Sequence, residues 1–360
     1  MSAIQVAAPT SVPQLRVLDG LHRGLPDQWY PILRSAELGR QPVAVRRFGE
    51  DLAVWRDSKG TPHVVEDRCA HRGAPMALGK IQGDELACWY HGWRYDGAGA
   101  CTMMPLEPEG STRAARVCLR AYPAEERCGY VWMFYGSAAR RTPLVVPPEL
   151  EEPDFHSFLS VYIWQTNWLN VLDNVLDPLH ALYLHAGSSA QQKRPTLKAF
   201  QITADSEDGF RLGKVGYKED GSIGSVEGEV CFTLPSTVRL DLVNGIPPRS
   251  IMRLVIMPTP IDENNTISYF ERGRRAVGLD RLRWWCAWQF KYRRRIGRVV
   301  EQDRALLTAL GPIGETRLHE HLASSDVGVI HVRRRLQRAF AASRSASGAL
   351  DGASVDEVNR

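Results

Sequence analysis

Two short segments, Cys69-Ala70-His71-Arg72-Gly73 and Cys88-Trp89-Tyr90-His91-Gly92-Trp93, with sixteen residues between His71 and Cys88, constrain this chain more than anything else in it. Each supplies one thiol and one imidazole, so as separate loops they can bring two thiolates and two imidazoles to one inorganic centre. Thiolates are soft donors that suit zinc or iron-sulfur clusters. Imidazoles in place of two thiolates lower the negative charge on an iron cluster and raise its potential. A structural Cys2His2 zinc site uses the same donors, although zinc modules more often pair Cys with Cys and His with His. Four unrelated core residues are the plainest alternative, since free cysteine packs as a small hydrophobe.

With 360 residues the chain exceeds one ordinary domain and can bury more than one core. Residues 1–25 form a weakly patterned arm. Residues 26–140 carry short alternating segments, such as Pro42–Phe48 and Leu52–Arg56, separated by Gly, Asp and Pro, and read as a small all-β domain containing both metal loops. Four prolines between Arg140 and Pro153 predict an extended linker over 141–153. Residues 154–342 mix strand-like runs, such as Ser250–Met257, with helical patterns near 165–185 and 280–310, so an α+β domain is expected. The tail 343–360, rich in Ser, Ala, Gly and Asp without an apolar period, is expected to be disordered.

Seven cysteines, five of them (Cys101, Cys118, Cys128, Cys231, Cys286) without paired spacing, predict reduced core thiols and a cytoplasmic protein. The N-terminus has no targeting pattern, and no run approaches membrane-spanning length. Basic residues crowd from Arg272 to Arg298, but Trp285, Trp288, Tyr292 and Ile296 recur there at roughly helical spacing. The stretch therefore reads as an amphipathic helix with a solvated basic face, ahead of a docking patch for an acidic protein and well ahead of a nucleic-acid surface.

A second constellation lies at Trp168–His185. Apolar residues at 168, 171, 172, 175, 176 and 179 predict a half-buried helix, with Asn174, Asp177 and His180 sharing one side. His185 would sit about 140° further round a regular helix, so convergence of the two imidazoles requires a bend, for which Pro178 is placed. Two imidazoles and one carboxylate on one face of Fe(II) leave positions open for oxygen and substrate. The carboxylate must come from elsewhere. On a helix Val299, Asp303, Leu306 and Leu310 form one stripe, which makes Asp303 the ligand and Glu301, on the solvent side, the reserve.

One Cys and one His from each loop, the Arg-Gly after His71 and the Gly-Trp after His91 resemble the signature of a Rieske 2Fe-2S centre, in which Cys69 and Cys88 would hold one iron and His71 and His91 the other. Asp177, His180 and His185 resemble the mononuclear-iron motif of Rieske non-haem iron aromatic ring-hydroxylating oxygenases. Glu301-Gln302-Asp303, Leu310–Ile313, Glu320–Leu322 and Ser324–Ile330 are similar to the phthalate dioxygenase and vanillate demethylase branch. The resemblance implies an N-terminal all-β Rieske domain and a helix-grip catalytic domain whose antiparallel sheet wraps a long helix. It also implies a head-to-tail homotrimer in which Asp177 bridges His91 of one subunit and His180 of the next, with Asn174 near the iron.

The chain has no Gly-rich dinucleotide fingerprint and no four-cysteine ferredoxin pattern, so a separate NAD(P)H-dependent reductase, with or without a ferredoxin, is expected to supply electrons. The resemblance then implies a terminal oxygenase that uses O2 to hydroxylate or O-demethylate an aromatic compound, an aromatic acid being the expected class. A Rieske-type electron carrier, or an oxygenase of a non-aromatic amine or alkaloid, is the alternative. Arg249 and Arg253 can pair with a substrate carboxylate but read first as surface arginines.

Overall fold

The computed structural model describes residues 20–185, 199–217, 223–244 and 250–358. Its N-terminal part is built from short strands β1 (Gln28–Arg34), β2 (Val43–Arg47), β3 (Glu50–Arg56), β4 (Pro62–Glu66), β5 (Lys80–Gln82), β6 (Glu85–Ala87), β7 (Arg94–Tyr95), β8 (Cys101–Met103), β9 (Ala121–Tyr122), β10 (Ala124–Arg127) and β11 (Tyr130–Tyr135). They pair in three sheets, β1-β11-β10, β2-β3-β4-β9 and β5-β6-β7-β8. The β2–β3 hairpin closes through Phe48 and Gly49, both at positive φ (58° and 78°), as a two-residue turn matched to strand twist requires. Phe48 tolerates that backbone because its ring is buried and stacked on Tyr135, with centroids 4.0 Å apart.

The C-terminal part is a seven-stranded antiparallel sheet, ordered β12-β18-β17-β16-β15-β14-β13. Its strands are β12 (Phe155–Trp164), β13 (Ala199–Asp205), β14 (Gly209–Tyr217), β15 (Ile223–Thr233), β16 (Thr237–Asn244), β17 (Ser250–Pro260) and β18 (Thr266–Arg275). Helices α1 (Trp168–Leu176), α2 (Leu279–Ala287), α3 (Arg293–Ala309), α4 (Ile313–Leu318) and α5 (Val327–Val358) accompany it. The sheet buries Phe210, Leu212, Val230, Phe232, Val238, Ile256 and Phe270 with Trp168, Val171, Leu172 and Val175 of α1 and with Val300 and Leu307 of α3.

Four expectations need correction. The stretch from Ser343 lies in α5, which runs to Val358, so it is helical where composition suggested disorder. Within the expected arm, Leu21 and Leu25 are buried against α1, and the Trp168 indole donates to the Leu21 carbonyl at 3.1 Å. In the basic stretch the buried aromatic is Trp284 rather than Trp285, followed by Trp288 and Tyr292. A π-helical turn at Trp288–Tyr292 widens the repeat, so residues spaced by four stay on one face. Arg272, counted with the solvated basic residues, is 1% exposed. Of the five unpaired cysteines, Cys101 is buried and Cys118 is exposed.

The two parts share a core. Trp29, Tyr130, Trp132 and Phe134 pack with Val255, Met257 and Tyr269 of the large sheet, and Leu144 and Val146 of the connecting segment complete the cluster. The Tyr130 hydroxyl donates to Glu271 at 2.6 Å across this junction, and Thr259 donates to the Pro31 carbonyl at 2.9 Å.

Candidate metal centres

The two N-terminal metal loops are built alike. The Cys69 amide donates to the Ala74 carbonyl and the Cys88 amide to the Trp93 carbonyl, each at 2.8 Å. The Gly73 and Gly92 amides close back onto the Cys69 and Cys88 carbonyls, and both glycines have positive φ (72° and 73°). That left-handed step is why glycine follows each Cys by four residues. The turns leave Cys69 and Cys88 buried and in mutual contact, while His71 is exposed and His91 half-buried, with ring centroids 4.5 Å apart. His71 stacks on Trp93 at 4.5 Å.

Burial pushes the Cys88 thiol above its ordinary pKa, and the Cys69 sulfur adds to the effect, while the Tyr90 and His91 amides oppose it by facing the sulfur. Two buried sulfurs in contact, with backbone amides facing Cys88, suit a metal that takes them as thiolates. Partial burial, with the charges of His71 and Arg72, holds the His91 imidazole below its usual range, which favours the neutral ligand form. Two sulfurs inside and two rings outside fit a cluster with one iron in the protein and one at its surface.

The second centre forms where α1 stops. Asn167 caps the start of α1 by accepting the Leu169 amide at 3.0 Å. Asp177 ends the helix before Pro178, and a single 3-10 turn, His180–Leu182, follows. The chain therefore breaks where the sequence reading placed a bend, and the Asn174–Asp177–His180 helical face does not extend past Leu176. The His180 Nδ1 meets the Asp177 carbonyl, and the His185 Nδ1 donates to Gln302 Oε1 at 3.0 Å. With both Nδ1 atoms so engaged, both Nε2 atoms face Asp303 Oδ1, at 3.4 Å for His180 and 3.2 Å for His185.

Asp303 is buried on the inner stripe of α3 with Val300 and Leu307. The expected partners Leu306 and Leu310 are instead 41% exposed, so the stripe lies one residue over, though Asp303 belongs to both versions. Its Oδ1 is buried without a hydrogen bond although two imidazole nitrogens surround it. An acceptor left bare among converging lone pairs fits a divalent cation. Burial disfavours the His180 imidazolium, but the Asp303 carboxylate and the Asp177 carbonyl outweigh it and hold its pKa above the ordinary value. The same potential attracts a metal ion.

Glu301 is exposed and paired with Arg304, away from this group. Asp177 meets His180 through its main chain, while its carboxylate accepts the Leu179 amide at 2.9 Å. Asn174 accepts the Asp177 amide through its carbonyl. Arg253 is occupied by Asp241 and Glu149, and Arg249 lies outside the described residues. Gln302 was not singled out by sequence; its position next to Asp303 on a helix was the available signal.

Residues 28–123 match the Rieske [2Fe-2S] domain family, and residues 164–342 match the vanillate O-demethylase oxygenase C-terminal domain family. The chain thus belongs to the Rieske non-haem iron oxygenases, a class that combines a 2Fe-2S cluster with a mononuclear iron and uses O2. Within that class it carries the vanillate demethylase type of C-terminal domain. It is 38% identical over 224 residues to a 4beta-methylsterol monooxygenase of Methylococcus capsulatus, a match covering 58% of this chain and 59% of that protein. It is 27% identical over 395 residues to the 3-chlorobenzoate-3,4-dioxygenase oxygenase subunit of Comamonas testosteroni, covering 93% of this chain and 88% of the other. The fold is similar to that of the oxygenase in a fluorene-bound oxygenase and ferredoxin complex of carbazole 1,9a-dioxygenase, with TM-score 0.71 and 22% identity over 92% of this chain and 95% of the other.

Proposed function

We propose that this chain is the terminal oxygenase subunit of a multicomponent system, receiving electrons from an NAD(P)H-dependent reductase, directly or through a ferredoxin, and oxidising an aromatic compound by hydroxylation or O-demethylation. The observation that carries the reading is the convergence of His180 and His185 Nε2 on the bare Asp303 carboxylate, in a chain that also holds the Cys69, His71, Cys88 and His91 loops. When bound, the cluster would supply single electrons and the mononuclear iron a site for O2. Cys69, His71, Cys88 and His91 are assigned to the cluster, and His180, His185 and Asp303 to the iron. Gln302 and the Asp177 carbonyl orient the two imidazoles so that Nε2 remains a donor.

A head-to-tail homotrimer is part of the proposal, with the Asp177 carboxylate facing the partner subunit's His91. The surface beside His91 supports a covered position: Trp89 is 75% exposed and lines a shallow groove with Tyr90, Leu78, Pro75 and Ala74. A ferredoxin complex in a structural neighbour supports an external electron donor. A cytoplasmic placement is part of the proposal; among the described residues no helix is long and apolar enough to cross a membrane. The sterol-oxidising relative favours a second reading, a bulky alicyclic substrate at the same iron.

The test measures iron content, the rhombic EPR signal of the reduced cluster, and O2 uptake coupled to product with a surrogate reductase. Asp303→Ala should keep the cluster signal and lose the iron beyond the cluster's pair together with O2 uptake. Asp177→Asn should keep both centres and lose most turnover; full activity there would remove the bridging role.

A further inference from the structure

Among the described residues Arg272 is the largest charged side chain sealed from solvent, with 1% of its surface exposed. Among the described residues it makes no ion pair, and its Nη1 is buried without a hydrogen-bond partner. Its surroundings are aromatic. The guanidinium carbon lies 4.9 Å from the Phe270 ring centre and 5.5 Å from that of Tyr162. The neighbouring carboxylate in sequence, Glu271, points to the other face of the sheet, where it takes the Tyr130 hydroxyl. The next arginine, Arg274, is paired with Asp280 at 2.6 Å. Burial pulls the Arg272 pKa down, against the Tyr162 hydroxyl and Glu271.

Cation–π contacts recover part of the cost of sealing a guanidinium, but an ion kept from water is normally matched by an opposite charge. Arg272 lies on the face of β18 that holds Ser268 and Phe270, which is the face turned to the helices, and its strand partners are Phe158 on β12 and Leu254 on β17. Phe158 stacks on Trp288, and Ile296, which follows on α3, packs on both that aromatic cluster and the main core. Ile296 and Asp303 are seven residues apart, about 10 Å along a helix. The same inner face holds two further buried donors without partners, Ser268 Oγ and Trp164 Nε1. Three unspent donors therefore lie on the sheet face turned toward the helices, one of which carries Asp303. Tyr162 is the half-buried wall of the Arg272 box, so an incoming anion would reach the guanidinium by displacing that ring.

We infer that Arg272 is the anchor for a carboxylate on the substrate, holding an aromatic acid by its anionic end so that the opposite end of the ring lies toward Asp303; this rests on the oxygenase reading above and narrows its substrate to an acid. A guanidinium takes a carboxylate through two parallel hydrogen bonds, of which the unpartnered Nη1 would supply one and a nitrogen released by the displaced Tyr162 ring the other.

The experiment titrates the iron-loaded protein with benzoate, phthalate, vanillate and 4-phenoxybenzoate, each beside its carboxamide, by calorimetry. The wild type should bind at least one acid in preference to its amide. Arg272→Met should keep or raise the thermal midpoint, because the removed cation has no ion-pair partner among the described residues, and should weaken that acid by about 30-fold or more with the amide unchanged. Arg272→Lys, which keeps the charge and loses the fork, should retain a reduced preference. The inference is overturned if the wild type prefers no acid, or if Arg272→Met binds acid and amide in the wild-type ratio. Should Arg272→Met fail to fold, an unchanged preference in Arg272→Lys overturns it. Iron content and O2 uptake on the same preparations separate the two readings: acid binding that needs Arg272 in protein that takes no iron beyond the cluster supports the anchor and refutes the oxygenase. Coupled oxidation confined to neutral compounds does the reverse.

Discussion

At the scale of residues, Gln302 positions His185 of the proposed second centre without belonging to the triad. Its Oε1 fixes the proton of His185 on Nδ1 and so leaves Nε2 as a lone pair facing Asp303. Gln302→Leu removes that acceptor but keeps the size of the side chain. Ferrous ion retention should fall about 10- to 100-fold, read by iron content after dialysis against a graded chelator, while the cluster absorbance stays constant. Retention equal to wild type would show that the His185 tautomer is set by something else. Asp303 itself was legible because an acid on an apolar helical stripe needs a reason. The stripe was misplaced by one residue, since Val299–Leu306–Leu310 and Val300–Leu307 are both plausible apolar rows, but Asp303 belongs to either. Arg272 was not legible: in a run of basic residues, only strand pairing shows which one faces inward.

Elements are held in place by contacts that cross between them. Helix α1 ends beside α5, where Gly328 approaches so closely that an added Cβ would lie 2.5 Å from the Leu176 carbonyl. Asp173, one turn earlier, is clamped by Arg317 of α4 at 2.9 Å and Arg333 of α5 at 2.6 Å, and Arg333 also holds Glu320. Gly328→Ala should push the end of α1, and with it His180, away from Asp303. We expect a loss of about 1–3 kcal/mol in unfolding free energy and poorer retention of the mononuclear iron, with the cluster spectrum unaltered. Strands β3 and β10 are tied by Arg56 and Glu126, with Arg56 also donating to the Gly60 carbonyl at 2.9 Å. The hydrogen bond to Arg56 holds the Glu126 carboxyl below its usual range, against burial. This contribution is complete above the ordinary glutamate value and is lost as pH falls through the lowered one. Melts at pH 6 and pH 3 should therefore differ less in Glu126→Gln than in wild type; an equal difference would remove Glu126 from the account.

For the whole molecule, the junction between the β-rich part and the large sheet decides whether the two centres unfold together. The Tyr130–Glu271 bond is sealed in that junction, and burial with the nearby carboxylate raises the Tyr130 pKa well beyond its ordinary value. Tyr130→Phe leaves the Glu271 carboxylate buried without its donor, which should cost about 1–3 kcal/mol. Cluster absorbance and far-ultraviolet circular dichroism should report one shared transition in wild type and a lower shared midpoint in the variant. Separate transitions in the wild type would mean that the shared core does not couple the two parts.

The proposed ligand sets were legible in the sequence because they are local: Cys69, His71, Cys88 and His91 sit in two tight turns closed by glycine, and His180 and His185 both follow one proline-broken helix end. Donor type and spacing suffice there. The partners of those ligands were decided by the tertiary structure. Gln302 and Asp303 come from a helix more than a hundred residues away, and which of two adjacent apolar rows they follow depends on what the sheet presents to them. The same holds for Trp284 in place of Trp285, and for the helix in the tail, whose first turns bury Val332, Leu336 and Phe340 in the core. Above all it holds for Arg272, because a sequence records that a residue is charged, whereas only packing determines whether that charge meets water, a protein anion or nothing.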